Sequence, residues 1–108
     1  MKSFIIVTDN SEKYIKEVLY SLLPLQENEE IIIFDNHSTD NTVPNIIAAM
    51  GILWADKKSR YRFYINKKKE NYEIVKNKAL SIAKGMPFII EQKERFDISE
   101  VLKDVKNK

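Results

Sequence analysis

The chain has no cysteine, which excludes disulfide stapling, thiolate nucleophiles and thiolate-held metal. It has one histidine, His37. No second imidazole or thiol can complete a transition-metal site with it, and one loop histidine is a poor basis for a Ser-His-Asp set. Two glycines and three prolines among 108 residues leave no glycine-rich phosphate loop and no low-complexity linker. No apolar run approaches the ~18 residues of a membrane span. The opening run Phe4 to Val7 is too short for the apolar core of a secretory leader, so a cytoplasmic location is expected. A net charge of +2 is too small to imply a nucleic-acid partner by itself.

What is present is an ordinary globular composition, 44% hydrophobic and 31% charged, and a length that fits one domain, residues 1–108. Four strand-then-helix units can be read in order. Phe4 to Thr8 is apolar and ends in Asp9 and Asn10; Ile15, Val18, Leu19 and Leu22 then recur at helical spacing. That predicts a helix over Ser11 to Leu23, capped by Asn10 or Ser11 and ended by Pro24. The second strand, Glu30 to Phe34, runs into Asp35-Asn36-His37-Ser38-Thr39-Asp40. Asp40 or Thr42 caps a helix with Val43, Ile46, Ile47 and Met50 on one face, and Gly51 suits its left-handed C′ position.

After a connection over Ile52 to Arg60, a third strand is expected at Tyr61 to Ile65. Its alternation points to a place near a sheet edge. A helix over Asn71 to Lys84 follows, stopped by Gly85, then a short apolar strand, Pro87 to Ile90. Asp97 and Glu100 at capping-box spacing open a last helix, about Ile98 to Val105. Strands alternating with helices call for an α/β fold, a Rossmann-like three-layer α/β/α arrangement with a mostly parallel sheet. Right-handed crossovers leave few topologies; the expected strand order is 3-2-1-4. It would gather Thr8 to Asn10, Asp35 to Ser38 and the loop after Ile90 around one crevice at the carboxyl ends of the strands, where such sheets bind ligands.

Each polar candidate has a functional and a structural reading. Asp35 can accept hydrogen bonds from a nucleobase or ribose, or can tie its own loop through Asx-type bonds. Ser38, Thr39 and Asp40 read mainly as a helix-capping cluster. His37 reads as an exposed loop residue. Glu91 and Glu94 could hold a divalent cation, but with Lys93 and Arg95 among them they read as a solvated charged loop. From Lys57 to Lys69 there are seven basic residues and no acid. Basic residues interleaved with aromatics can mark single-stranded nucleic acid. Here the strand needs the aromatics, and Lys67 to Lys69 read as a solvated turn, so no nucleic-acid partner is expected.

Four segments together resemble the family 2 glycosyltransferases, which have the GT-A fold, over about residues 3 to 90. Ser3 to Asn10 is similar to the family's opening strand, which ends Pro-Thr-Tyr-Asn: Thr8 and Asn10 agree, while Val7 and Asp9 replace Pro and an aromatic. Tyr14-Ile15 through Leu23, with Gln26, resembles its first helix. Glu30 to Thr42 resembles the signature Glu-Ile-Ile-Val-Asp-Asp-Gly-Ser-Thr-Asp-Asn-Thr. Val75 to Leu80, with Ala83 and Gly85, resembles its Ala-Arg-Asn run.

The resemblance implies the nucleotide-binding half of a GT-A enzyme, with a UDP- or GDP-type nucleotide or nucleotide sugar held by Thr8, Asn10, Asp35 and Lys76. Lys76 replaces an Arg and is the poorer planar partner. Where the family carries its cation-binding Asp-x-Asp, this chain reads Gln92-Lys93-Glu94. Mg²⁺ or Mn²⁺ is therefore disfavoured, and Glu94 is a doubtful ligand. The chain also stops short of the family's acceptor half, which supplies the general base. Hexosyl transfer by the chain alone is expected to be weak or absent, with no catalytic residue assigned. The alternatives are a non-catalytic nucleotide-binding or regulatory module, and half of a split transferase completed by a partner chain or by homo-oligomerisation.

Overall fold

The computed structural model describes residues 1–22, 25–57 and 60–90. Its elements run β1 (Lys2–Thr8), α1 (Ile15–Ser21), β2 (Glu29–Asp35), α2 (Thr42–Lys57), β3 (Tyr61–Ile65), α3 (Tyr72–Ser81) and β4 (Met86–Ile90). The sheet has the order β3-β2-β1-β4, and every pairing in it is parallel. The sequence-based order 3-2-1-4 is therefore the one found, and β3 lies at an edge as its alternation implied. Pro24, the charged segment with Glu91 and Glu94, and the expected helix at Ile98 to Val105 lie outside the described residues.

The period-2 alternation of side chains sorts the strands' apolar residues to two faces. Phe4 and Ile6 of β1 and Ile31 and Ile33 of β2 join Ile15, Val18 and Leu19 of α1 and Ile46, Ala49 and Met50 of α2 in one buried cluster. Ile5 and Ile32 face the other way and meet Ala79 of α3, with Phe34, Leu80 and Ile89 packed around them. Both faces of β1 and β2 are covered, so these strands read as unbroken runs of Ile and Val. Over residues 42–51 of α2 the buried positions are Thr42, Ile46, Ala49 and Met50, whereas Ile47 is 58% exposed. The stripe follows i, i+4, i+7, i+8, so small Ala49 takes the place expected of Ile47.

Three helix boundaries differ from the sequence reading. Helix α2 continues through Gly51 to Lys57, and Gly51 has no positive φ. An interior glycine costs only about 1 kcal/mol relative to alanine, and Ile52 to Ala55 can propagate the helix. Helix α1 begins at Ile15, and its N-cap, Tyr14, makes no side-chain capping bond. The Ser11 carbonyl instead accepts from the Tyr14 and Ile15 amides, forming a turn ahead of the helix. Helix α3 is capped by Asn71, whose side chain accepts from Glu73 N at 2.8 Å, and it ends at Ser81, short of Lys84.

That early end has a cause in the sheet. Glu30, 2% exposed, accepts from Ser3 Oγ at 2.6 Å, Arg62 Nη2 at 2.7 Å and Lys84 N at 2.8 Å. Arg62 Nη2 also donates to the Ile82 carbonyl at 2.7 Å. The residues after Ser81 leave the helix to meet this pair of a buried carboxylate and a half-buried guanidinium. Gly85 follows because its Cα sits hard against the first residue: an added Cβ would lie 2.3 Å from the Met1 carbonyl oxygen.

Candidate functional site

At the carboxyl ends of the central strands, Thr8 and Asp35 are register partners on β1 and β2, and neither is exposed. Thr8 Oγ1 donates to Asp35 Oδ1 at 2.6 Å. The same oxygen accepts from Ser38 Oγ at 2.6 Å, and Asp35 Oδ2 accepts from Ser38 N at 2.8 Å. The Asx-type reading of Asp35 is thus realised. A carboxylate offers about four lone-pair sites, so Oδ2, with one donor here, keeps acceptor capacity.

Asn10 joins this set from the β1–α1 loop. Its amide donates to Ser38 Oγ at 2.9 Å, and its Oδ1 accepts from Thr39 N at 2.9 Å. It therefore braces the β2–α2 loop rather than capping α1. To do so it adopts φ 52°, and His37 adopts φ 55°, a conformation that asparagine tolerates better than most residues. Ser11 does not cap α1 either: its hydroxyl accepts from Asp9 N at 3.2 Å and its amide donates to Thr42 Oγ1 at 2.7 Å.

Asp40 caps α2, accepting from Thr42 N at 2.9 Å. Partial burial pushes its carboxyl pKa up. The hydroxyl and amide of Thr42 and the amide of Glu12 outweigh that and leave it below the ordinary aspartate value. His37 is exposed, with Nδ1 3.2 Å from the Asn66 carbonyl.

A second layer of the rim went unread in the sequence. Asn36, 3% exposed, meets the β3–α3 loop as a strand's peptide would. Its Oδ1 accepts from Glu70 N at 2.9 Å and its Nδ2 donates to Glu70 O at 2.8 Å. Asn66 Nδ2 lies 3.4 Å from Asn36 Oδ1. Lys78 donates to Asn66 Oδ1 at 3.3 Å and pairs with Glu70. Across the top, Lys69 Nζ meets Asp9 Oδ1 at 2.8 Å. The one advance signal was position: Asn36 and Asn66 each follow a strand directly. Their pairing needed the 3-2-1 order.

Thr8, Asn10 and Asp35 are therefore brought together through Ser38. Lys76 lies on α3, where its ammonium is 2.8 Å from Glu73 and 5.7 Å from the Tyr72 ring centre.

Residues 3–90 match the model of glycosyl transferase family 2. The chain belongs to this family. No curated protein shows significant similarity to the sequence. Among solved structures, S. aureus TarS 1-349 in complex with UDP superposes with a TM-score of 0.64 at 25% identity, covering 83% of this chain and 27% of that one. A second structure of S. aureus TarS 1-349 gives a TM-score of 0.68 at 23% identity, over 98% and 31% of the two chains. This family 2 chain thus spans under a third of the TarS chains it matches, and its described sheet has the arrangement of their nucleotide-binding half. Among the described residues no helix is long and apolar enough to cross a membrane.

The cation that the family implies does not fit the donors at the corresponding sequence, Gln92-Lys93-Glu94. One neutral amide, one ammonium and one carboxylate make a poor set for a hard dication, and these residues lie outside the described ones. Among the described residues no group of three or more His, Cys, Asp or Glu could hold a metal ion.

Proposed function

We propose that this chain binds a nucleoside diphosphate, of the UDP or GDP type, or its sugar conjugate, at the rim formed by Thr8, Asn10 and Asp35, with Lys76 as a further contact. One observation carries the reading: the Thr8–Asp35–Ser38–Asn10 network lies at the carboxyl ends of adjacent parallel strands, where open α/β sheets receive ligands. The UDP held by TarS supports that ligand class. In this reading Asp35 has two tasks. Oδ1 fixes the loop through Thr8 and Ser38, and the spare capacity of Oδ2 receives an N–H or O–H of the base or ribose as the Ser38 loop yields.

Sugar transfer by the chain alone is weak or absent on this proposal, because Gln92-Lys93-Glu94 is a poor cation site. Two other readings stand beside it: a non-catalytic nucleotide-binding or regulatory module, and half of a split transferase completed by a partner chain or a second copy. Calorimetric titration with UDP, GDP and their sugars, with and without Mn²⁺, tests the reading. Binding indifferent to Mn²⁺ and abolished in Asp35→Ala is expected. Unchanged affinity in that variant refutes the pocket, and tight Mn²⁺-dependent binding refutes the degenerate cation site.

A further inference from the structure

We infer that Lys69 is the phosphate contact of this site and that Asp9 holds it in reserve. The ligand's phosphate displaces the Asp9 carboxylate from the Lys69 ammonium, a step that rests on the nucleotide reading above. Lys69 sits in the β3–α3 loop, yet its Nζ lies 2.8 Å from Asp9 Oδ1 at the end of β1. It therefore reaches over the end of β2, which lies between those two strands. Asp9 follows Thr8, and its other oxygen lies 3.4 Å from Asn36 Nδ2, the residue after Asp35. The ammonium is thereby placed on the same rim as the Thr8–Asp35 pair.

Three features make this an exchangeable contact and not a structural one. Both side chains are substantially exposed, 50% for Lys69 and 41% for Asp9, so the pair is weak and screened. The base of the loop is fixed independently, because Asn36 grips both peptide groups of Glu70; losing the ion pair leaves the lysine near the rim. Lys78 of α3, which reaches this loop, is held by Glu70 and Asn66. Lys67 and Lys68 are exposed next to Lys69 and add to the positive field. A diphosphate carries more charge than one carboxylate, so it competes favourably for the ammonium without a bridging cation.

Titration of the full chain with UDP, UMP and uridine in EDTA, followed by calorimetry and amide chemical shifts, tests this. Wild type should bind in the order UDP, UMP, uridine. Lys69→Met should weaken UDP about tenfold, the scale of one charge-assisted contact, and leave uridine unchanged. Asp9→Asn should tighten UDP about three- to fivefold, the strength of an exposed ion pair, again without moving uridine. Equal UDP affinity in Lys69→Met and wild type overturns the inference while leaving the nucleotide reading intact. Weaker UDP binding in Asp9→Asn also overturns it, since Asp9 would then be a ligand contact. UDP binding lost in Lys69→Met but kept in Asp35→Ala refutes the Asp35 pocket and keeps the phosphate contact. Absence of UDP binding by the wild type overturns both.

Discussion

Glu30 and Asp35 stand near the two ends of β2 and point to opposite faces of the sheet, and each accepts a 2.6 Å hydroxyl bond from its register partner on β1. Ser3 serves Glu30 on the α3 face; Thr8 serves Asp35 on the face of α1 and α2. The central strand pair is pinned at both ends by a carboxylate, but the two differ in purpose. Beyond β1, the Glu30 carboxylate is locked to Arg62 and the turn after α3, whereas the Asp35 carboxylate is locked to the loop it opens.

Removing the rim carboxylate should cost stability as well as binding. Asp35→Ala leaves the Thr8 and Ser38 hydroxyls without their acceptor, which should destabilise the chain by about 2–3 kcal/mol. Thr8→Val removes one donor and should cost about 1 kcal/mol. Urea denaturation of the three proteins measures both. A loss in Thr8→Val as large as in Asp35→Ala would contradict the ordering.

Stability should fall on acidification through Glu30. Burial raises its pKa, but hydrogen bonds from Ser3, the Lys84 amide and Arg62, with the Arg62 charge, more than offset that and leave it lowered. The unfolded chain therefore takes up the proton first as pH falls. The stabilisation is complete above the ordinary glutamate range and is lost as pH drops through the lowered value. Glu30→Gln should flatten the acid limb of a stability–pH curve. Arg62→Met, which strands a buried carboxylate, should cost about 3 kcal/mol at neutral pH.

His37 occupies the position of the glycine in the family signature and holds φ 55°. A non-glycine residue there costs roughly 1–2 kcal/mol. His37→Gly also forfeits the contact with the Asn66 carbonyl and loosens the unfolded chain. It should therefore raise stability by no more than about 1 kcal/mol. A thermal melt checks the sign.

Gly85→Ala should do the reverse. The added methyl would approach the Met1 carbonyl carbon and oxygen to 2.6 and 2.3 Å, so β4 must shift away from β1. A loss of about 1–3 kcal/mol is expected, with amide exchange quickened first at Met86, whose N–H bonds Met1 O at 2.8 Å.

The sheet was legible because β1 and β2 are buried on both faces and carry unbroken β-branched runs, and because Asp35 marks where burial ends. The α1 stripe of Ile15, Val18, Leu19 and Leu22 was legible for the same reason: each is buried. Boundaries were not, because they are decided by partners far along the chain. Gly85 does not end α3; the helix stops at Ser81, where Ile82 and Lys84 turn to meet Arg62 and Glu30, far away in the sequence. Asn10 looked like a cap for the helix after it and instead serves Thr39, 29 residues on. The Asn36–Glu70 and Asp9–Lys69 pairs join loops whose mutual approach the strand order alone does not set.

The grip of Asn36 on Glu70 depends on a single carboxamide presenting one oxygen and one nitrogen in a fixed sense. Asparagine hydrolyses slowly to aspartate during storage, and here that ageing reaction would replace the nitrogen with an oxygen facing the Glu70 carbonyl and the Asp9 carboxylate. The join between the β2–α2 and β3–α3 loops would then open while the parallel sheet beneath it stayed paired.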